Sequence, residues 1–543
     1  MPRTVKVAIV GTGLAGLTAA HLLTKPSSDE EVKFELHLFE KAPEIGMDSS
    51  SISLGNASLK QDWRIDVPMR SFQGGYYTNL ISLYQSLGVR FRQADFSYSF
   101  STLSFPKWRD RSITTTMIYN GGSGRSGVSK PAAMNGFTAE KPGSIAYFVQ
   151  KLRVSSLFTC LTAQLLLCYF ITLLHALPIW RPANLTSLTF RQWASQTTPT
   201  SLFSRLIGMD TAWKNYVQMV LFPLLSAVCT APQEDVMDHP MEEILDYVWL
   251  TFGTHHYVVI DGVRDVVKRL IEGVDHLHLS SPIVSIQPDV QDAKCITISC
   301  LSNGQAHEYP GFHHIVLATQ ASGAVPILTK YLESLPIGLG HRKKAIERQI
   351  QCLKAFEYRP SVVINHTDGS LLPDNRQDIR DLNLITLAHS EARPESEALP
   401  GLCVSSSYTM ATHILPTPKG CPPNQPTVFQ TTNPIIFPNK DSLLSVANLE
   451  RAIVTLNSKS ALKSLCMQDT KSWWQCPYQA KTRLGELQGA RLTSEKNGPG
   501  IWICGSYAHL GIPLLEGCVV SARSVVEQGI LIEEGVKWTQ EPW

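Results

Sequence analysis

The sequence predicts an α/β protein: a Rossmann-like dinucleotide-binding domain, with a second, discontinuous α+β domain built from the segments between its pieces. Three observations carry this reading. A glycine-spaced turn joins an apolar strand to a helix at the start of the chain ("VAIVGTGLAGLTAAHLL", 7–23). Another strand-turn-helix pattern stands near its end ("GIWICGSYAHLGIPLLEGCVVSARSVVEQGI", 500–530). The 543 residues between and around them are about three times a typical domain.

Thr4 to Val10 is short, β-branched and apolar, the pattern of a buried parallel strand. Gly11 permits a tight turn, Gly13 lets the backbone approach a pyrophosphate, and Gly16 lets the helix pack on the strand. Ala15 lies in the same loop, and Leu14 to Thr24 repeats small and apolar residues at helical spacing. Pro26 ends that helix in the polar loop "PSSDEE". A second strand, Phe34 to Phe39, brings Glu40 and Lys41 to its end, where an acid accepts hydrogen bonds from ribose hydroxyls. The helix amino terminus offers free N–H groups and partial positive charge to phosphates. Gly122 to Gly127 repeats the glycine spacing, but the following "VSKPAAMNGF" cannot open a long amphipathic helix, so this stretch reads as a loop.

Composition narrows the class. With 43% hydrophobic and 17% charged residues and a net charge of +2, the chain has no basic field for nucleic acid. Its twelve cysteines include no C-x-x-C pair, so no zinc or redox motif is expected, and no metal. They read as reduced core residues of an intracellular protein. The histidine pairs His255-His256 and His313-His314 read as surface or loop positions.

The segment 500–530 resembles the carboxyl-terminal signature of flavin-containing amine oxidases and their relatives. In that family this strand and helix return to the Rossmann domain, and the helix end faces the flavin. "RIDVPMRSFQGGYYTNLISLYQSLGVRFRQADFSYSFS" (64–101) is similar to the stretch where the chain passes the flavin. "HHYVVIDGVRDVVKRLIEGV", "HLSSPIVSIQ" and "HHIVLAT", within 255–319, are similar to the family's third piece. The resemblance spans most of the chain and points to a subgroup of FAD/NAD(P)-binding amine-oxidase-like proteins of fungal type. It implies FAD as cofactor and a flavin domain of the amine-oxidase type. Val284 would lie against the adenosine part, and Gly505, Glu516 and Gly517 on the cofactor side. One departure stands out: where many members carry an arginine that touches the pyrophosphate, this chain has "EKAPEIGMDSSS". Ser49 and Ser50, with Ser51, are left as neutral hydroxyl donors.

The flavin domain is expected at 1–110, 250–330 and 490–535, and the substrate domain at 111–249 and 331–489. Residues 415–440 read as loops. Leu157 to Leu177 is long and apolar enough to span a bilayer, yet the strands on either side must join one sheet. The helix is therefore expected on a membrane surface, at an apolar substrate entrance or buried, but not across a membrane.

Arg70 matches an arginine that lies near the substrate carboxylate in some amino-acid-oxidising relatives, although a structural ion-pair arginine is the plainer reading. Trp473 and Trp474 fit either the flavin's flanks or the core, and Tyr507 is a further flavin-flanking candidate. The implied activity is FAD-dependent hydride abstraction from a small lipophilic substrate, by amine oxidation or C–C desaturation, in fungal secondary metabolism. Double-bond isomerisation of a fatty-acid-like substrate, or flavin binding without turnover at a membrane, are the alternatives.

Overall fold

A computed structural model describes residues 2–25, 31–55, 63–106, 111–135, 144–182, 184–302, 304–388, 404–418, 426–470, 472–490 and 498–543. Pro26 and most of its polar loop lie outside the described residues. Five parallel strands form the central sheet: β1 (Arg3–Val10), β2 (Val32–Phe39), β3 (His276–His278), β4 (His314–Leu317) and β5 (Gly500–Ile503). Their spatial order is β3-β2-β1-β4-β5, the order of a doubly wound dinucleotide-binding sheet. Both ends of the chain and its middle thus meet in one layer.

The apolar runs explain why this sheet is buried on both faces. Side chains alternate along a strand. Val5, Val7, Ile9, Leu36, Leu38, Val316 and Trp502 face one core, with α1 (Leu14–Leu23), α2 (Thr78–Ser86) and the carboxyl-terminal helix. Ala8, Val10, Phe39, Ile315, Leu317, Ile501 and Ile503 face the other, under the strands of 283–312 and the helices of 321–354.

A second sheet of eight strands builds the other lobe, in the order Leu443–Ile453, Glu357–His366, Phe429–Thr432, Met410–Ile414, Leu382–Leu387, Tyr98–Ser104, Ser112–Tyr119 and Val128–Ser129. Its first strand in the sequence begins at Tyr98, ahead of the boundary expected at 110. Phe429–Thr432 is a strand within the stretch expected to be all loop, because it finds partners on both sides. Gly122–Gly124 forms a short turn linking Ser112–Tyr119 to Val128–Ser129, as its lack of a following helix suggested.

The helical part of this lobe contains α3 (Ile145–Ala176), α4 (Leu202–Leu206) and α5 (Met241–Thr251). At 32 residues α3 is longer than the apolar run suggested, and its buried residues are Val154, Cys168, Thr172 and Ala176. The carboxyl-terminal helix, α6 (Leu515–Ser524), continues through a π-helical turn to Glu534. Trp473 and Trp474 are exposed rather than core residues, stacked edge to face on each other. His314 is buried in β4, not at the surface, accepting from Trp502 Nε1 at 3.2 Å and pairing with Glu534 at 2.8 Å.

Candidate functional site

The three loop glycines do different work. A Cβ on Gly16 would lie 2.0 Å from the Gly11 carbonyl oxygen, so α1 packs directly on the turn. Gly11 has φ +99°, and its Cβ would stand 2.9 Å from the Ala318 carbonyl oxygen. Gly13 has nothing within 4 Å of its Cβ position, so the space before it is open. It is also the N-cap of α1 and supplies no capping side chain. The free N–H groups of the first helical turn therefore face open space. Ala15 is buried in that turn, with Cys518 of α6 against it.

Glu40 closes the loop from the end of β2. Its carboxylate accepts hydrogen bonds from Thr12 N (3.0 Å), Thr12 Oγ1 (2.7 Å) and Ala42 N (3.0 Å). Its own N–H donates to the His278 carbonyl at 2.9 Å, tying β2 to β3. Gly46 fits under it: a Cβ there would meet Glu40 Oε2 at 2.8 Å. Lys41 is exposed. The Ser49 hydroxyl donates to the Gly46 carbonyl at 3.1 Å, and Ser50 is half-buried. The Ser51 hydroxyl accepts from Val67 N at 3.2 Å. Next to them Asp48 pairs with both Arg64 (2.7 Å) and Arg264 (3.1 Å).

Two guanidinium groups lie in the seam between the lobes without a carboxylate partner among the described residues. Arg70 donates to the Met47 carbonyl at 2.7 Å, and its buried Nε has no partner. Nearby Asp66 accepts instead from Val263 N, at 3.1 Å. The Arg451 side chain makes no hydrogen bond or ion pair among the described residues, and burial followed by the charge of Arg70 lowers its pKa. Both cations act on Cys518 of α6. Arg451 lines a narrow cavity with Cys229, His239, Ile512 and Pro513, just ahead of α6. His239 and Glu243, one helical turn apart, face each other at 3.4 Å as buried groups without a hydrogen bond.

Gly505, Tyr507, Glu516 and Gly517 lie on α6 or just ahead of it, and Val284 lies on a separate three-stranded sheet. Gly505 has φ +153°, and its Cβ would press on the Tyr507 ring at 2.9 Å. Tyr507 itself is buried against Phe356. Gly517 lets α6 approach the Ser506 carbonyl, 2.6 Å from its Cβ position. Glu516 turns to α2: its carboxylate accepts from Asn79 N, Asn79 Nδ2 and Leu80 N, each at 2.8 Å. Burial raises its pKa against those hydrogen bonds. Val284 sits at an irregularity in its strand pairing, and its carbonyl accepts from Lys330 Nζ at 2.7 Å. Arg451, His239 and Glu243 escaped the sequence reading. The i, i+4 spacing in "HPMEE" was the only local signal, because Arg451 joins them only through the fold.

A family model described as an NAD(P)-binding Rossmann-like domain matches residues 9–87. That stretch carries the glycine loop, β2, Glu40, Arg70 and α2. No curated protein matches the chain. Among solved structures, cyclohexylamine oxidase from Brevibacterium oxydans IH-35A is similar at 14% identity, with 98% of this chain and 99% of that one covered and a TM-score of 0.48. An oxidoreductase from Methanosarcina mazei is similar at 10% identity, covering 96% and 99%, with a TM-score of 0.47. A putrescine oxidase bound to putrescine is similar at 14% identity, covering 98% and 100%, with a TM-score of 0.43.

Proposed function

We propose that this chain is an FAD-dependent oxidoreductase of the amine-oxidase type, which removes a hydride from a C–H bond of a small lipophilic substrate by amine oxidation or C–C desaturation. The observation that carries the reading is the open space before Gly13, where uncapped N–H groups of α1 meet the carboxylate-bearing end of β2. These residues fit a dinucleotide: the α1 N–H groups donate to its diphosphate, and Glu40 accepts from ribose hydroxyls. The unpartnered cations Arg70 and Arg451 suit a group that gains negative charge, or an anionic part of the substrate. FAD, when bound, supplies the two-electron acceptor. The chain orients the substrate in the seam between the lobes, where Ile512 and Pro513 present apolar surface beside Arg451 and His239.

The test is the visible spectrum of the purified protein, followed by anaerobic mixing with amines, fatty acids and polyenes. A yellow protein bleached by one substrate class is expected. A folded, colourless protein that takes up no added FAD would overturn the reading. Double-bond migration with the flavin still oxidised would mark an isomerase.

The same reading includes a membrane. Most of α3 is exposed, including Leu152 (70%), Leu166 (59%) and Phe170 (55%), and α4 beside it exposes Leu202, Phe203 and Leu206. Of the six cations within 144–214, Arg181 is buried against Asp246 and Arg191 pairs with Glu234 and Asp238, which leaves Lys151, Arg153, Arg205 and Lys214 beside the segment's one acid, Asp210. That balance fits the surface of an anionic bilayer, from which a lipophilic substrate could enter the seam. Tyr98–Ser104 pairs with Leu382–Leu387, so the chain before and after α3 lies on one side of that bilayer.

A further inference from the structure

Away from the glycine loop, the far edge of the parallel sheet carries a cluster that the flavin reading does not use. Alternation puts Glu35 and His37 on one face of β2 and His276 and His278 on one face of β3. The parallel register sets His276 directly opposite His37. The result is a three-sided arrangement: Glu35 Oε1 lies 2.9 Å from His37 Nε2 and 3.9 Å from His276 Nε2. The ligand atoms of the three residues all lie within 4.8 Å of one another.

We infer that Glu35, His37 and His276 form a binding site for a divalent first-row transition metal of the zinc class. In tetrahedral coordination with ligand bonds of about 2.0–2.1 Å, neighbouring ligand atoms stand about 3.3 Å apart. The two measured separations bracket that value. Two imidazoles and one carboxylate suit zinc, cobalt or nickel and leave a fourth position for water. His276 is half-exposed and Glu35 partly so, which gives the ion a path from solvent. Behind the ligands, His37 Nδ1 lies 3.1 Å from His278 Nε2. An ion on His37 Nε2 moves the ring proton to Nδ1, which then donates to His278, the outer contact that orients a metal-bound histidine. No net proton need leave the neutral rings. One cation competes: Lys6 Nζ stands 3.6 Å from Glu35 Oε1. Bound metal would clamp β3 to β2, whose ends meet at Glu40.

The test uses the full-length chain without an affinity tag, stripped with chelator and titrated with Co2+. We expect a visible ligand-field spectrum saturating at about one ion per chain and displaced by Zn2+. His276→Ala should abolish the spectrum while leaving the unfolding curve of the metal-free protein unchanged. His278→Ala should weaken binding about 10–100-fold. Lys6→Met should tighten binding, because it removes the competing charge and no ligand. Absence of the spectrum, or a His276→Ala protein that still gives it at the same affinity, overturns the site. Because the readout is metal absorption, failure here leaves the flavin reading intact, and a colourless protein leaves this site intact.

Discussion

Gly11, Gly13 and Gly16 look alike in the sequence, yet their surroundings predict different costs. Gly16→Ala drives a methyl into a backbone oxygen and should cost about 3 kcal/mol or more. Gly13→Asp meets only open space, so the protein should fold with its wild-type unfolding midpoint but without flavin, since a carboxylate would face the diphosphate. Absorbance and thermal unfolding of the same preparation check both halves. Arg451 makes the opposite trade. A half-buried cation whose side chain has no partner among the described residues weakens the free protein, so Arg451→Met should stabilise the metal- and flavin-free chain by about 1 kcal/mol in urea unfolding. The same change should weaken the anion it serves by roughly tenfold, read as flavin retention or as KM. An Arg451→Met protein that is less stable and binds unchanged would make the residue a structural one.

At the level of elements, the carboxyl-terminal helix is fastened at both ends. Its start gives Glu516 to α2, and its end gives Glu534 to Arg3 of β1 and His314 of β4. Burial pushes the Glu534 carboxyl up, but the hydrogen bonds of His314 and then of Arg3 pull it down to about 2. Its folded pKa is depressed, so its stabilisation is present above the ordinary carboxyl range and fades as pH falls from about 5 toward 2. With allowance for solvent screening this amounts to about 2 kcal/mol. Glu534→Gln should lower stability at neutral pH by that amount and flatten its dependence over this acid range, measured by urea unfolding at each pH. The exposed α3 makes a separate prediction. The protein should sediment with phosphatidylglycerol-containing vesicles, less with phosphatidylcholine alone and less at high salt. Leu166→Glu with Phe170→Glu should leave it in the supernatant with its fold unchanged. Equal sedimentation of the double variant would remove the membrane from the proposal.

Across the whole molecule, what the sequence revealed depended on how locally each feature is encoded. β1, β4 and β5 were legible because each is a largely buried apolar run beside a recognisable turn, whereas β3 is only "HLH". The eight-stranded sheet was not legible, since its strands are half-buried and its decisive pairing joins residues 98–104 to 382–387. Glu516 shows the same limit. The resemblance put it near the cofactor, but its partners on α2 lie more than four hundred positions away. The cluster of Glu35, His37 and His276 was invisible for that reason: "HLH" at 276–278 means little until register sets it against His37.

β5, at the rim of the parallel sheet, sets a timetable for biosynthesis. It hydrogen-bonds to β4, which has no other partner on that side among the described residues, and it leaves the ribosome well after β4. Until then β4 presents a bare edge, and the dinucleotide cleft lacks the wall that α6 completes. The greasy α3 has emerged hundreds of residues earlier. A nascent chain therefore exposes α3 well before it can hold a nucleotide, and cofactor loading waits for β5 and α6.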